Sequence, residues 1–193
     1  MYKLIAVLLW LLCAQIHAEE IELIYTPLVL SPEVNNALDV DEYKWQVGLF
    51  LGQNMPENQS HKLSYGISAN YLIWQQWYAA ARISKKAFRL MQNSTESAMV
   101  WSLGAGYNVL EGAAYISDGL TLPWRMYTEI MVGEQNLEGK ANNYVDGAIG
   151  WQLNKDNNYA AIEWRYYSVD DKRLQKIDSN KGYQWSLEFG RYF

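Results

Sequence analysis

The stretch Tyr183-Gln184-Trp185-Ser186-Leu187-Glu188-Phe189-Gly190-Arg191-Tyr192-Phe193 closes the chain. Tyr183, Trp185, Leu187, Phe189 and Phe193 share one parity, whereas Gln184, Ser186, Glu188 and Gly190 take the other. A period of two is that of a β-strand with one apolar and one polar face. Within this run Arg191 is the one charge on the apolar parity.

Upstream the same alternation predicts seven more strands: Tyr43 to Gly52, Lys62 to Ile73, Gln76 to Ser84, Ala98 to Asn108, Pro123 to Glu134, Asn143 to Leu153 and Asn158 to Ser168, with Gly182 to Phe193 the eighth. Each run has about 9 to 12 residues, the length a tilted strand needs to cross a bilayer. Trp74-Gln75 and Asn154 to Asn157 are short connections. Gln53 to His61, Lys85 to Ser97, Gln135 to Asn142 and Val169 to Lys181 are longer and polar. In a transmembrane barrel the short turns are periplasmic and the long loops extracellular. Val109 to Leu122 breaks that alternation, being long on the short-turn side, and leaves open whether extra strand is hidden there.

The other end of the chain reads as an export signal over residues 1–18: Lys3, an apolar run from Leu4 to Cys13, then Ile16-His17-Ala18 before Glu19-Glu20. Cleavage there leaves about 175 of the 193 residues and removes Cys13, the one cysteine. His61 is then the one imidazole, and the net charge falls to roughly −6, against the basic footprint nucleic-acid binding requires. No later run reaches roughly 18 consecutive apolar residues, so a membrane span has to be made of strands closed into a barrel.

Splitting the strands by parity gives one face of Trp45, Leu49, Tyr65, Ile67, Trp101, Ile149 and their like, almost without charge. Lys44, Arg82, Arg125 and Arg165 fall on the other face with Glu129, Asp146, Glu163 and Glu188, four positive against four negative. A soluble barrel turns its apolar parity inward. A membrane barrel turns it outward and has to pair the charges it encloses. The export signal and the excess of aromatics favour the second. Trp45, Trp77, Trp124 and Trp151 are placed for an aromatic girdle at the periplasmic interface, and Tyr127, Tyr144, Tyr159 and Tyr167 for the lumen.

With its strand pattern, the segment Trp101-Ser102-Leu103-Gly104-Ala105-Gly106-Tyr107 and the ending Gly190-Arg191-Tyr192-Phe193, the chain resembles the small eight-stranded outer-membrane barrels of the OmpA/OmpX-like class over about Tyr43 to Phe193. The resemblance implies an all-β, transmembrane, antiparallel up-and-down barrel of eight strands in the outer membrane of a Gram-negative cell. It also implies that outer-membrane assembly machinery reads Phe193 at the end of the last strand. The usual apolar residue two before that terminus is Arg191 here. Residues 43–193 form the expected barrel and 19–42 a periplasmic or barrel-mouth segment, with Ile21, Leu23 and Tyr25 alternating and Ser31-Pro32 shaped like a helix start.

For chemistry the sequence offers little. Ser60-His61, with Glu57 nearby, is the one grouping with a hydroxyl, an imidazole and an acid, and adjacency in sequence does not place a serine against its base. No metal-ligand spacing and no cofactor motif is present. Eight strands enclose a lumen that side chains just fill. The expectation is therefore a structural or surface-interaction protein exposing four polar loops. Lys62, Lys85, Lys86, Arg89, Lys140, Lys172, Arg173, Lys176 and Lys181 would face lipopolysaccharide phosphates, and an unidentified protein partner is allowed for. An enzyme acting on outer-leaflet lipid A and a narrow channel for small solutes are the alternatives.

Overall fold

A computed structural model describes residues 44–57, 61–74, 76–89, 95–117, 120–175 and 180–193. The expected signal segment, residues 19–42, Tyr43 and Ser60 lie outside the described residues. The strands are β1 (Trp45–Pro56), β2 (Lys62–Trp74), β3 (Trp77–Arg89), β4 (Thr95–Ser117), β5 (Leu120–Leu137), β6 (Lys140–Lys155), β7 (Asn158–Val169) and β8 (Lys181–Tyr192), with a single helical turn α1 (Lys172–Gln175) between β7 and β8. They form one closed barrel in sequence order, every neighbouring pair antiparallel.

Closure is made by β1 and β8, in register from Gln46 opposite Tyr192 to Pro56 opposite Gly182. At one end the Phe193 amide donates to the Trp45 carbonyl at 2.8 Å and the Trp45 amide returns to Phe193 at 3.1 Å. A circuit perpendicular to the strands that leaves β1 at Trp45 passes Tyr71, Ala79, Ala105, Ile130, Gly147, Tyr166 and Tyr183 and returns to β1 at Met55, ten residues on. With a rise near 3.3 Å and a spacing near 4.8 Å, that stagger tilts the strands by about 40° and gives each residue about 2.5 Å of height.

Burial inverts the polarity of a soluble barrel. Leu49, Ile67, Ile83, Ile130, Ile149 and Phe189 point out and are exposed, while Arg82, Arg165, Glu129, Asp146, Glu163 and Glu188 point in and are buried. Inward glycines leave room for the largest rings. A Cβ on Gly106 would fall on Tyr78, one on Gly150 on Tyr127, and one on Gly190 on Tyr159.

Several connections differ from expectation. The β5–β6 link is a two-residue turn, Glu138-Gly139, with φ of 53° and 76°, the left-handed pair that a tight hairpin needs. Strands run to Pro56, Arg89 and Leu137 and start at Thr95 and Lys140, so the outer connections are shorter than the sequence predicts. Above the apolar band both faces of a strand turn polar, and the period-two signal fades there. Val109 to Leu122 is not a loop of irregular chain. Apart from residues 118–119, which lie outside the described residues, it continues β4 and β5 as a paired ribbon.

Candidate functional site: the filled lumen and its two rims

The lumen holds three tiers. At the end where the chain terminates, Arg125 donates to the Gln46 and Gln152 side chains at 2.7 and 3.2 Å. Gln152 in turn donates to Asn154 at 2.6 Å and bonds Tyr192, whose hydroxyl reaches Asn154 at 2.9 Å. Side chains of β1, β5, β6 and β8 thus meet across that end of the lumen.

The middle tier is a charge belt centred on Arg165. Its guanidinium meets Glu129 at 2.6 Å and Glu163 at 2.9 Å and also pairs with Asp146. Arg82 reaches Glu163 at 2.7 Å and lies over the Phe50 ring, 3.7 Å from its centroid. Glu188 accepts from Ser68 and Tyr159, each at 2.6 Å, and Tyr78 donates to Glu129 at 3.1 Å. Charges taken out of water persist only where several partners replace it, and here β2, β3, β5, β6, β7 and β8 all contribute. A void below the belt, lined by Ser68, Tyr78, Arg82, Arg125, Glu129 and Glu188 among others, has room for about one water molecule.

In the third tier Lys86 donates to the Tyr144 hydroxyl at 2.6 Å, its ammonium 4.7 and 4.4 Å from the ring centroids of Tyr144 and Tyr167. Above it the helical turn α1 turns Leu174 inward. Leu174 of α1 is fully buried with Ala98, Val100, Leu137, Tyr144, Tyr167 and Val169. This apolar cluster fills the lumen above Lys86 among the described residues.

Of the eight residues expected in the lumen, Arg82, Arg125, Glu129, Asp146, Glu163, Arg165 and Glu188 are there, and Lys44 is not. Lys44 is exposed one residue before β1, where its carbonyl accepts from Leu72 at 2.9 Å. The fourth lumen cation is Lys86, expected at the rim but carried inside because β3 continues its alternation past Ser84. Extending the even parity of Tyr78, Ala80, Arg82 and Ser84 by one more step finds it.

Outside, Trp45 sits against Tyr71 at 4.8 Å and Trp77 against Tyr107 at 4.9 Å, one tier of aromatics at the terminus end. Trp151 is exposed near that level, and Trp124 leans across Gly112 of β4. Tyr183 meets Trp164 and Tyr166 at 5.7 and 5.1 Å in a second tier. On the 2.5 Å height per residue the tiers are about 20 Å apart, near the height of the apolar band of an outer-membrane barrel. Phe193 is exposed on this exterior, and Arg191 faces outward in the lower tier with its guanidinium 5.9 Å from the Phe193 centroid. There its long stem can carry the charge to a headgroup region.

At the opposite rim His61 and Glu57 are exposed, and Lys85, Lys140, Lys172 and Lys181 are exposed as well. Among the described residues no group of histidine, cysteine and acids could hold a metal ion.

An apolar exterior bounded by two aromatic tiers, a charge-filled interior and eight up-and-down strands define the class of small outer-membrane β-barrels. No family model matches the sequence, and no curated protein matches it. Among solved structures the chain is similar to Ail, the attachment invasion locus protein of Yersinia pestis, at 12% identity over 78% of this chain and 97% of that one, with a TM-score of 0.43. It is similar to Neisserial surface protein A at 12% identity, 78% and 97% coverage and a TM-score of 0.45. The N-terminal β-barrel domain of Pseudomonas aeruginosa OprF matches at 11%, 77% and 97% coverage and 0.45. At these identities the likeness is one of fold.

Proposed function

We propose that the protein lies in the outer membrane as a shut barrel and works through its surfaces rather than through its lumen. The inverted polarity carries this reading. Isoleucines and leucines are exposed around the wall while seven charges of the belt and lower tier are buried inside it, a distribution unfavourable in water and favourable in lipid. Among the described residues the lumen is crossed by ion pairs and holds the buried Leu174 cluster above them, which favours an interaction role over conduction. Lys85 and Lys181 point outward on their strands just beyond the upper aromatic tier, where the phosphates of an anionic outer-leaflet glycolipid would lie. Export by the signal over residues 1–18 and insertion through the strand that ends at Phe193 complete the route.

The test is membrane fractionation of the expressed protein, with unboiled and boiled samples compared on a gel. A boiling-dependent change in migration, in the outer-membrane fraction, is expected. Recovery as a soluble periplasmic protein with no such change would overturn the reading. Binding to lipopolysaccharide should weaken in Lys85→Glu/Lys181→Glu, and equal binding would remove these lysines from the contact.

A further inference from the structure

The outer wall carries a groove of about 540 Å³ where β1 meets β8, within the ~300–1,000 Å³ typical of small-molecule sites. Its sides are the outward side chains of Leu49 and Leu51 on β1, Leu63 on β2, and Trp185, Leu187 and Phe189 on β8. Phe50 and Gly52 also line it, and because both positions face the lumen they reach the groove through their backbone. The hollow therefore goes down to the strands themselves. Gln53 is the one side-chain amide of the lining and stands at the upper end, with Leu63 opposite on one side and Trp185 on the other. On about 2.5 Å of height per residue and about 3 Å per strand step, the groove climbs about 16 Å from Phe189 to Leu63, roughly half of a ~30 Å hydrocarbon core. Its upper end is level with the upper aromatic tier, and its lower end stops short of the lower one.

We propose that this groove holds one acyl chain of an outer-leaflet lipid, with the headgroup above Gln53 and the chain end over Leu49 and Phe189. The outward positions of the wall are leucine, isoleucine and aromatic while the charges lie inside, so the phase against this wall is hydrocarbon. The groove has the depth of one leaflet, and its polarity runs as a lipid's does. Hydrocarbon lies below, the Gln53 amide at the top, and beyond it the exposed Lys181 and Glu57, neighbours across β8 and β1 through the Glu57 amide and the Lys181 carbonyl at 2.9 Å. A hollow left unfilled forfeits dispersion contacts along its lining. Elsewhere on the wall a lipid chain touches side-chain tips, whereas here it has side chains on two sides and backbone beneath, so the groove selects one chain and holds it longer than its neighbours. A second copy leaves the groove unfilled. Two copies in one membrane are related by rotation about its normal, and a two-fold pair sets the same patch against itself, so hollow would face hollow.

The proposal rests on the outer-membrane reading above, and its experiment separates the two. The full protein is refolded into phospholipid vesicles and its heat-modifiable migration is checked. The vesicles carry a trace of phospholipid with a photoactivatable diazirine either near the carboxyl end or near the methyl end of one chain, and labelled residues are mapped by mass spectrometry. Leu49 and Leu51 are 64% and 57% exposed, against 69% and 62% for Ile130 and Ile149 at similar depth across the barrel, so lipid without a site labels both walls alike. Labelling of Leu49, Leu51 and Leu187 should exceed that of Ile130 and Ile149 about tenfold. The carboxyl-end probe should favour Gln53, Leu63 and Trp185, and the methyl-end probe Leu49 and Phe189. Leu51→Trp, which fills the groove from its middle at a lipid-facing position, should keep the heat shift and bring the two walls to equal labelling. A heat-shifted barrel labelled equally on both walls, an enrichment that survives Leu51→Trp, or the two probes in reversed order overturns the acyl site alone. Absence of the heat shift overturns the outer-membrane reading and the site with it.

Discussion

Replacing Arg165 by methionine removes the hub of the lumen and leaves Glu129, Asp146 and Glu163 facing one another. At an effective dielectric constant of about 20, an ion pair at the distance of Arg165 to Glu129 or Glu163 is worth about 6 kcal/mol before desolvation. Desolvation takes back several kcal/mol per ion, and losing one partner of a buried pair typically costs about 3–5 kcal/mol. Glu163 keeps Arg82 and Glu129 keeps Tyr78, so Asp146 is the acid left worst off. Arg165→Met should therefore lower stability by about 3–5 kcal/mol, and Arg165→Met/Asp146→Asn should recover at least half of that by restoring neutrality. Urea unfolding of the refolded barrel in lipid vesicles, followed by tryptophan emission and by gel migration, measures both. A single variant within about 1 kcal/mol of the parent would mean a hydrated lumen in which the charges are screened, and would refute the dry charge belt.

Three more outcomes follow from the packing. Gly150→Val places a side chain on the Tyr127 ring and should cost about 1–3 kcal/mol or more in the same unfolding assay, with Tyr127→Ala in the same chain giving part of it back. Lys86→Met, which loses the bond to Tyr144 and two ring faces, should destabilise by about 1–3 kcal/mol, whereas Lys44→Ala should stay within about 0.5 kcal/mol; the reverse order would restore Lys44 to the lumen. Leu174→Asp buries a charge among Ala98, Val100, Leu137 and Val169 and should expose the β7–β8 connection to protease while leaving the heat-modifiable migration intact.

The barrel itself was legible because lipid on one face and a filled lumen on the other enforce a strict period of two. Tyr183 to Phe189 shows that rule without exception, and Arg191 departs from it near the end of the strand. It fails where the environment stops being two-sided. Lys86 was lost to a supposed loop because β3 runs beyond the apolar band, and Lys44 was gained because its parity is right although the strand begins one residue later. The ribbon of β4 and β5 was hidden by the bulge at Val109, which exposes five consecutive residues and erases the alternation. No local signal marks the Gln46, Gln152, Asn154 and Tyr192 network or the capping role of Leu174, since both depend on residues brought together across the barrel.

The most direct test of the inside-out arrangement is quenching of tryptophan emission by phospholipids brominated along their acyl chains, compared with acrylamide in water. Trp45, Trp77, Trp101, Trp151 and Trp164 all lie on the exterior. Strong quenching by the brominated lipids, with weak quenching by acrylamide, is the predicted result. Ready quenching by acrylamide with no effect of the lipids would place these rings in water and contradict the account.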